Sequence, residues 1–307
     1  MGNCLVTKLK GTVQNSDLLR VGELRICVHK IYNPNGETQR INLNFTEDVK
    51  LEIIGDGYFT NATLVSNLGK SLTAKANTES LVYVSNGDFE IAILNKYALT
   101  KINTRTNKKT AIKDIADLKY SSSLNHLAIN SVENVGYFSD IKPLTSLYYI
   151  ALSNANIKGS LSDLKSLTNL GYIIVGDTSN KLTGNVSSLK AMTKLDTLAI
   201  LNSDVTGDLA TLPSTCRSAA FDYHDTNAIF DWSSRPASSK IIAIRGNPKL
   251  NNIDKMLQDQ ANCVVGFTSA DDASYKKIEV SGTRTSASDA ALATLQQKGY
   301  TVTITPA

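Results

Sequence analysis

Leu124-Asn125-His126-Leu127-Ala128-Ile129 is the stretch that decides how this chain is read. Its apolar residues follow the pattern L-x-x-L-x-L. The same spacing returns at Leu147, Ile150 and Leu152, at Leu170, Ile173 and Val175, and at Leu195, Leu198 and Ile200. The first positions, 124, 147, 170 and 195, are separated by 23, 23 and 25 residues. Cys216, Ala219 and Phe221 form a degraded fifth copy, and Ile242 with Ile244 a sixth. A fixed period of this length marks a solenoid in which each repeat contributes one strand. One copy cannot bury its own apolar edge, so stacked neighbours must supply the stability.

A second regularity sets the register. Between the last two positions of each trio stand Ala128, Ala151, Ile174 and Ala199, then Ala220 and Ala243 in the degraded copies. Side chains alternate along a strand, which places this row on the opposite, exposed face. Two residues earlier on that face lie His126, Tyr149, Tyr172 and Thr197. The expected concave surface is therefore a low alanine row beside the tyrosine pair Tyr149 and Tyr172. Their amphipathic rings can stack on a sugar or anchor a protein loop; the competing reading is that they stabilise each other across the ladder. Between strands, Ile157, Leu161, Leu164 and Leu167, and then Val186 and Leu189, predict a 3₁₀ or short α turn on the convex side. Asn154, Asn156, Gly159, Asn180 and Gly184 are placed to satisfy backbone groups where the chain leaves each strand. In period and pattern these copies resemble the leucine-rich repeat family, which implies a surface for binding.

The predicted fold is mostly β with short helices: a β-sandwich, then a leucine-rich-repeat solenoid with a C-terminal α/β cap. Residues 1–20 are a polar stretch with apolar punctuation at Leu5, Val6, Leu9 and Val13, too little to fold alone: a disordered tail, or an extended arm that orders against a partner. Residues 21–100 carry short alternating runs, such as Leu24, Ile26 and Val28, or Ile41, Leu43 and Phe45, set between turn signals; this reads as the β-sandwich. Asn86-Gly87 is the strongest hairpin signal, joining Leu81–Ser85 to the run of Phe89, Ile91 and Ile93. Residues 101–123 are a junction in which Ile112, Ile115 and Leu118 suit a short helix capping the first repeat. Residues 124–270 hold the repeats and 271–307 the cap. There Val264–Thr268 and Lys277–Ser281 read as strands, and Ser286–Lys298 as a helix capped by Ser286 or Ser288. Gly299 follows as its C′ residue, and Tyr300–Ile304 is a last strand.

Composition narrows the function. The net charge of +4, spread along the chain, gives no basic stripe, so nucleic acid is not an expected partner. No run approaches the 18 apolar residues of a membrane span, and the first residues lack a secretory signal. Four scattered cysteines support neither a disulfide framework nor a zinc site. No cofactor is expected. Gly69-Lys70-Ser71 lacks the glycine that a phosphate-binding loop needs five residues earlier, where Leu64 stands. Asp222, His224 and Asp225 are the weak candidates for metal binding or acid–base chemistry, in a stretch that otherwise reads as a surface loop.

The start Met1-Gly2-Asn3-Cys4-Leu5-Val6-Thr7-Lys8-Leu9-Lys10-Gly11, the stretch Val84-Ser85-Asn86-Gly87-Asp88 and the repeats together resemble virion proteins of phages that infect gut Bacteroidetes, including crAss-like phages. The resemblance implies a structural protein with no catalytic residues, attached to capsid or tail as a head fibre or appendage, in the virion and assembled in the host cytoplasm. It implies that residues 1–20 dock on other virion proteins, that the β-domain is an adaptor or an oligomer contact (a dimer or trimer), and that the repeats face a host-surface glycan or protein. Two other readings stay open: a cellular leucine-rich-repeat adhesin or interaction protein, and a polysaccharide-acting enzyme built on Asp222, His224 and Asp225.

Overall fold

The computed structural model describes the backbone of residues 25–33, 39–45, 49–54, 57–61, 64–66, 71–74, 80–84, 87–94, 99–103, 115–130, 135–153, 156–176, 182–201, 203–221, 229–268 and 270–306, and side chains almost wholly within 100–306. The arm residues Leu5, Val6, Leu9 and Val13 lie outside the described residues, as do Asp222, His224 and Asp225. The chain divides into two compact units, residues 1–147 with 152–157, and residues 148–151 with 158–307.

In the first unit, the alternating runs form antiparallel strands. Gly87–Leu94 lies between Arg25–Asn33 and Val49–Ile54, and Val49–Ile54 pairs on with Ser71–Ala74. A second set runs in the order Leu64–Ser66, Gly57–Asn61, Ser80–Val84, Gln39–Phe45, Leu99–Asn103. The hairpin expected around Asn86-Gly87 does not form. Its two strands, Ser80–Val84 and Gly87–Leu94, belong to different sheets. Each is already flanked on both sides by other strands, and two ladders per strand outweigh one local turn signal.

Leu99–Asn103 is shared between two kinds of pairing. It runs antiparallel to Gln39–Phe45 and parallel to the first repeat strand, His126–Asn130, with His126↔Lys101, Leu127↔Ile102 and Ala128↔Asn103. A strand as well as a helix therefore adjoins the first repeat. The helix is a 3₁₀ segment, Ile115–Tyr120, with Ile115 and Leu118 buried as expected.

The second unit is a parallel-β solenoid. Its main sheet takes Tyr172–Gly176, Thr197–Ile200, Ser218–Phe221, Ala243–Arg245, Lys277–Ser281 and Thr301–Thr305 in chain order. Tyr149–Ala151 add the strand before Tyr172–Gly176. All twelve residues of the four clean trios are at most 1% exposed, so the L-x-x-L-x-L register is correct. The 3₁₀ turns stand where they were expected, at Leu161–Leu164 and Val186–Leu189, with Leu167 and Met192 buried after them.

A second parallel sheet was not expected. It runs through Asn156–Ser160, Leu182–Asn185, Asp204–Asp208, Ile229–Asp231 and Lys249–Leu250. Gly159 and Gly184, assigned above to the exit from the first strand, lie in this one. The first three of these strands each have one buried apolar residue (Ile157, Leu182, Val205), then a glycine with positive φ, then the residue that caps the 3₁₀ turn. Ser160 Oγ, Asn185 Oδ1 and Asp208 Oδ1 accept the N–H of Ser162, Ser187 and Ala210 at 3.3, 2.9 and 2.9 Å, closing donors that a helix start leaves open. The caps also build a ladder between turns. A Cβ on Gly184 would stand 2.4 Å from Ser160 Oγ, and one on Gly207 would stand 2.2 Å from Asn185 Oδ1.

The sixth copy is shifted by two residues from the sequence reading. Ala220 pairs with Arg245, and Ala243 falls in the Ser218 row. The turns between the strands also change there. Trp232 and Arg235 are 1% and 3% exposed. The Arg235 guanidinium donates to the carbonyls of Lys240, Ala210, Leu212 and Pro213 at 3.2, 3.4, 2.8 and 3.0 Å. An unforeseen α-helix, Ile253–Asn262, follows. Its buried Gln260 accepts from the Ile242 amide and donates to the Ile242 carbonyl, at 2.8 and 2.9 Å.

Toward the end, Val264–Thr268 reduces to a single bridge between Val264 and Lys240. Ser286–Ser288 forms a 3₁₀ turn leading into the helix Asp289–Gln297. Ser288 takes the N-cap position of the helix, without a side-chain cap bond, and Thr285 caps the preceding turn by accepting from Ala287. Gly299 takes φ +83, and Thr301–Thr305 continues the main sheet.

Candidate functional site

The outward face of the second unit's main sheet follows from the register. One row runs Tyr172↔Thr197↔Ser218↔Ala243, and the next runs Ile174↔Ala199↔Ala220↔Arg245. Tyr149, Tyr172, Thr197, Ile174 and Ala199 are half-buried there. Two expected surface positions are not surface: Ala128 and Ala151 are 1% and 0% exposed. A methyl barely rises above the sheet, so longer neighbours on the same face close over it. His126, half-buried, belongs with Ala128 to the first unit.

The tyrosine pair proves to be a trio. Tyr149 and Tyr172 have ring centroids 5.8 Å apart at 39°, and Tyr148 meets Tyr172 edge-on at 5.5 Å and 76°. Such pairs contribute about 0.5–1.5 kcal/mol beyond area burial. Burial, and then the nearby Asp196 carboxylate, raise the Tyr172 phenol above its ordinary value, so it remains a neutral donor.

Across the face the chemistry becomes cationic. Arg217 grips Asp196 with two donors, Nε to Oδ1 at 2.5 Å and Nη2 to Oδ2 at 3.1 Å. Thr197 Oγ1 donates to the same carboxylate at 3.2 Å. The Arg217 guanidinium also lies 4.8 Å from the centroid of the Phe267 ring, and the Arg245 guanidinium 5.4 Å from that of Tyr275. Phe267 and Tyr275 stack on each other at 6.1 Å and 25°. Guanidinium over an aromatic face gains electrostatically while leaving its N–H edges for hydrogen bonds. From Tyr149 to Arg245 the face spans four strand steps, roughly 19 Å at about 4.8 Å each.

Sequence reading found Tyr149, Tyr172 and Thr197 but missed Tyr148, Asp196, Arg217, Arg245, Phe267 and Tyr275. A signal existed for three of them. Tyr148, Gly171, Asp196 and Arg217 occupy the same repeat position, just before the strand, as their matching backbone bonds show. Phe267 and Tyr275 come from outside the strands and carry no periodic mark. These side chains stack, donate and accept; none of those named pairs a nucleophile with a base. Cys216 is no exception, since complete burial pushes its thiol up to about 12.

The chain matches no described protein family and no curated protein. Solved structures similar to it include the Arabidopsis receptor kinase HAESA in complex with a peptide hormone and a co-receptor. There the identity is 16% and the TM-score 0.42, over 67% of this chain and 34% of that one. Another is the leucine-rich-repeat ectodomain of the Arabidopsis thaliana receptor kinase GASSHO1, at 13% identity and TM-score 0.35, over 54% and 19%. A third is internalin C2 of Listeria monocytogenes, at 18% identity and TM-score 0.28, over 51% and 57%. This chain spans less than two thirds of the length of each. Among the described residues no helix is long and apolar enough to cross a membrane.

Proposed function

We propose that this chain is a non-enzymatic binding protein that holds a protein partner on the Tyr–Arg face of its solenoid, and that it works as a fibre or appendage on a phage particle. One observation carries the binding part. Tyr148, Tyr149 and Tyr172 form one end of a continuous face whose other end is Arg217 and Arg245 laid over Phe267 and Tyr275. Tyrosine and arginine are the residues that carry most energy at protein interfaces, through large rigid contact and multidentate donation. The virion part is supported by the resemblance of the first residues. In this reading residues 1–20 dock on capsid or tail, and the β-domain, as a sandwich, is an adaptor or the contact of a dimer or trimer.

Two measurements test the proposal. Particles made with residues 2–20 deleted should lack the protein in their mass spectra; normal incorporation would defeat the tether. Purified full chain should compete with phage for adsorption to host cells, and a Tyr172→Ala, Arg217→Ala variant should not. Equal competition by both would remove the binding face. A cellular adhesin would use the same face, and adhesion by a cell that carries no phage genome would favour it.

A further inference from the structure

Four arginines have described side chains, and three are answered within the chain. Arg217 holds Asp196, Arg235 donates to four carbonyls, and Arg284 reaches Ser288 and Asp289. Arg245 differs. Its Nη2 donates to Ser218 Oγ at 3.2 Å, its Nε–H is buried with no partner, and among the described residues no carboxylate pairs with it. Glu279 follows Ile278, the partner of Ile244, and so stands beside Arg245 in the register. Its carboxylate goes instead to Lys277 at 3.9 Å. The guanidinium also lies against the ring of Tyr275.

A half-buried guanidinium with one neutral partner is under-satisfied. Charge-assisted, bidentate contact with a carboxylate is its strongest complement. Arg217 shows that this sheet supplies such a partner where the fold needs one; at Arg245 it supplies none. We propose that Arg245 receives a carboxylate of the polypeptide that binds this face. The inference rests on the reading of the face as a protein-binding surface. It names an acidic peptide segment as the ligand, with the carboxylate on an Asp or Glu side chain or at the chain terminus. The tyrosine end favours a polypeptide over an acidic sugar, because its three rings contact one another edge-on and tilted, as in protein interface cores, rather than forming a flat open platform. The face is long enough for about six extended residues at roughly 3.3 Å each.

The test uses the full chain and fluorescent hexapeptide pools with Asp or Asn fixed at each position in turn, made with free or amidated C termini, read by anisotropy. Carboxylate-bearing pools should bind at least tenfold tighter than their neutral counterparts. Arg245→Gln should abolish that preference while thermal melting stays near wild type, and Arg245→Lys should retain part of it. Loss on Asp-to-Asn exchange assigns a side-chain carboxylate; loss on amidation assigns the terminus. Neutral pools that bind equally well, or a preference that survives Arg245→Gln, would overturn the proposal. If Tyr172→Ala still weakens those pools, the protein-binding face stands without it. Binding of oligogalacturonate but of no peptide pool overturns both, as does binding of none.

Discussion

The ring of Tyr148 lies over the Cα of Gly171, so close that a Cβ there would stand 2.4 Å from Cε2. The Gly171 amide meanwhile donates to the Tyr148 carbonyl at 2.8 Å. The glycine is what allows Tyr148 to fold down and meet Tyr172 edge-on.

Gly171→Ala should therefore separate stability from binding. Tyr148 is 45% exposed and can swing outward, so unfolding free energy should fall only by the worth of an aromatic pair, about 0.5–1.5 kcal/mol. Competition for host adsorption should fall much further. A variant that melts near wild type and competes equally well would show that the tyrosine trio is not part of the contact.

Arg235 organises the irregular turns after the fifth repeat strand, and its four carbonyl partners need a planar fork of donors. Arg235→Lys keeps the charge but offers one nitrogen, leaving buried carbonyls without partners. A loss of about 3–5 kcal/mol is expected for each of Arg235→Lys and Arg235→Ala, measured by urea unfolding. Wild-type stability in the lysine variant would show that charge alone suffices.

Asp259 gives the fold a pH dependence. Partial burial pushes its pKa up, but hydrogen bonds from Lys255, Trp232 Nε1 and the Arg235 amide outweigh this and hold the carboxyl below its usual range. With the folded pKa below the unfolded one, its contribution is fully present above about pH 4 and is lost as pH falls through the folded value. Asp259→Asn should be less stable than wild type at neutral pH, and the gap should narrow as pH falls below the ordinary carboxylate range. A gap that stays constant across urea titrations at several pH values would count against this account.

Much of the solenoid was legible because its strands obey a strict rule: a trio residue exposed to water would cost its burial energy in every copy. The second sheet was illegible for the complementary reason. A strand such as Lys158-Gly159-Ser160 following Ile157 buries one apolar residue and is otherwise glycine and small polar groups, so no alternation can be read. The sixth copy misled because Ile241, Ile242, Ala243 and Ile244 are all fully buried, which erases the period, and because its third trio position is Gly246. There φ is +86 and a Cβ would meet the Phe221 carbonyl oxygen at 1.2 Å, so no apolar side chain can mark the place. Of the proposed binding face, the strand residues followed from the register. Arg245 appeared only once the shift by two was known, and Phe267 and Tyr275 only in three dimensions.

The cap-and-glycine ladder bears on how such a chain can change in length. Ser160 serves its own turn and also fills the space above Gly184, while Asn185 does the same above Gly207. A deletion that removed a cap and kept the next glycine would open a gap; one that kept the cap and replaced the glycine would force a clash. Excision or duplication of one whole turn within this stretch leaves Ser160 or Asn185 still facing a glycine. Only length changes of one full period keep these contacts, so the sheet face can grow or shrink in steps of one strand.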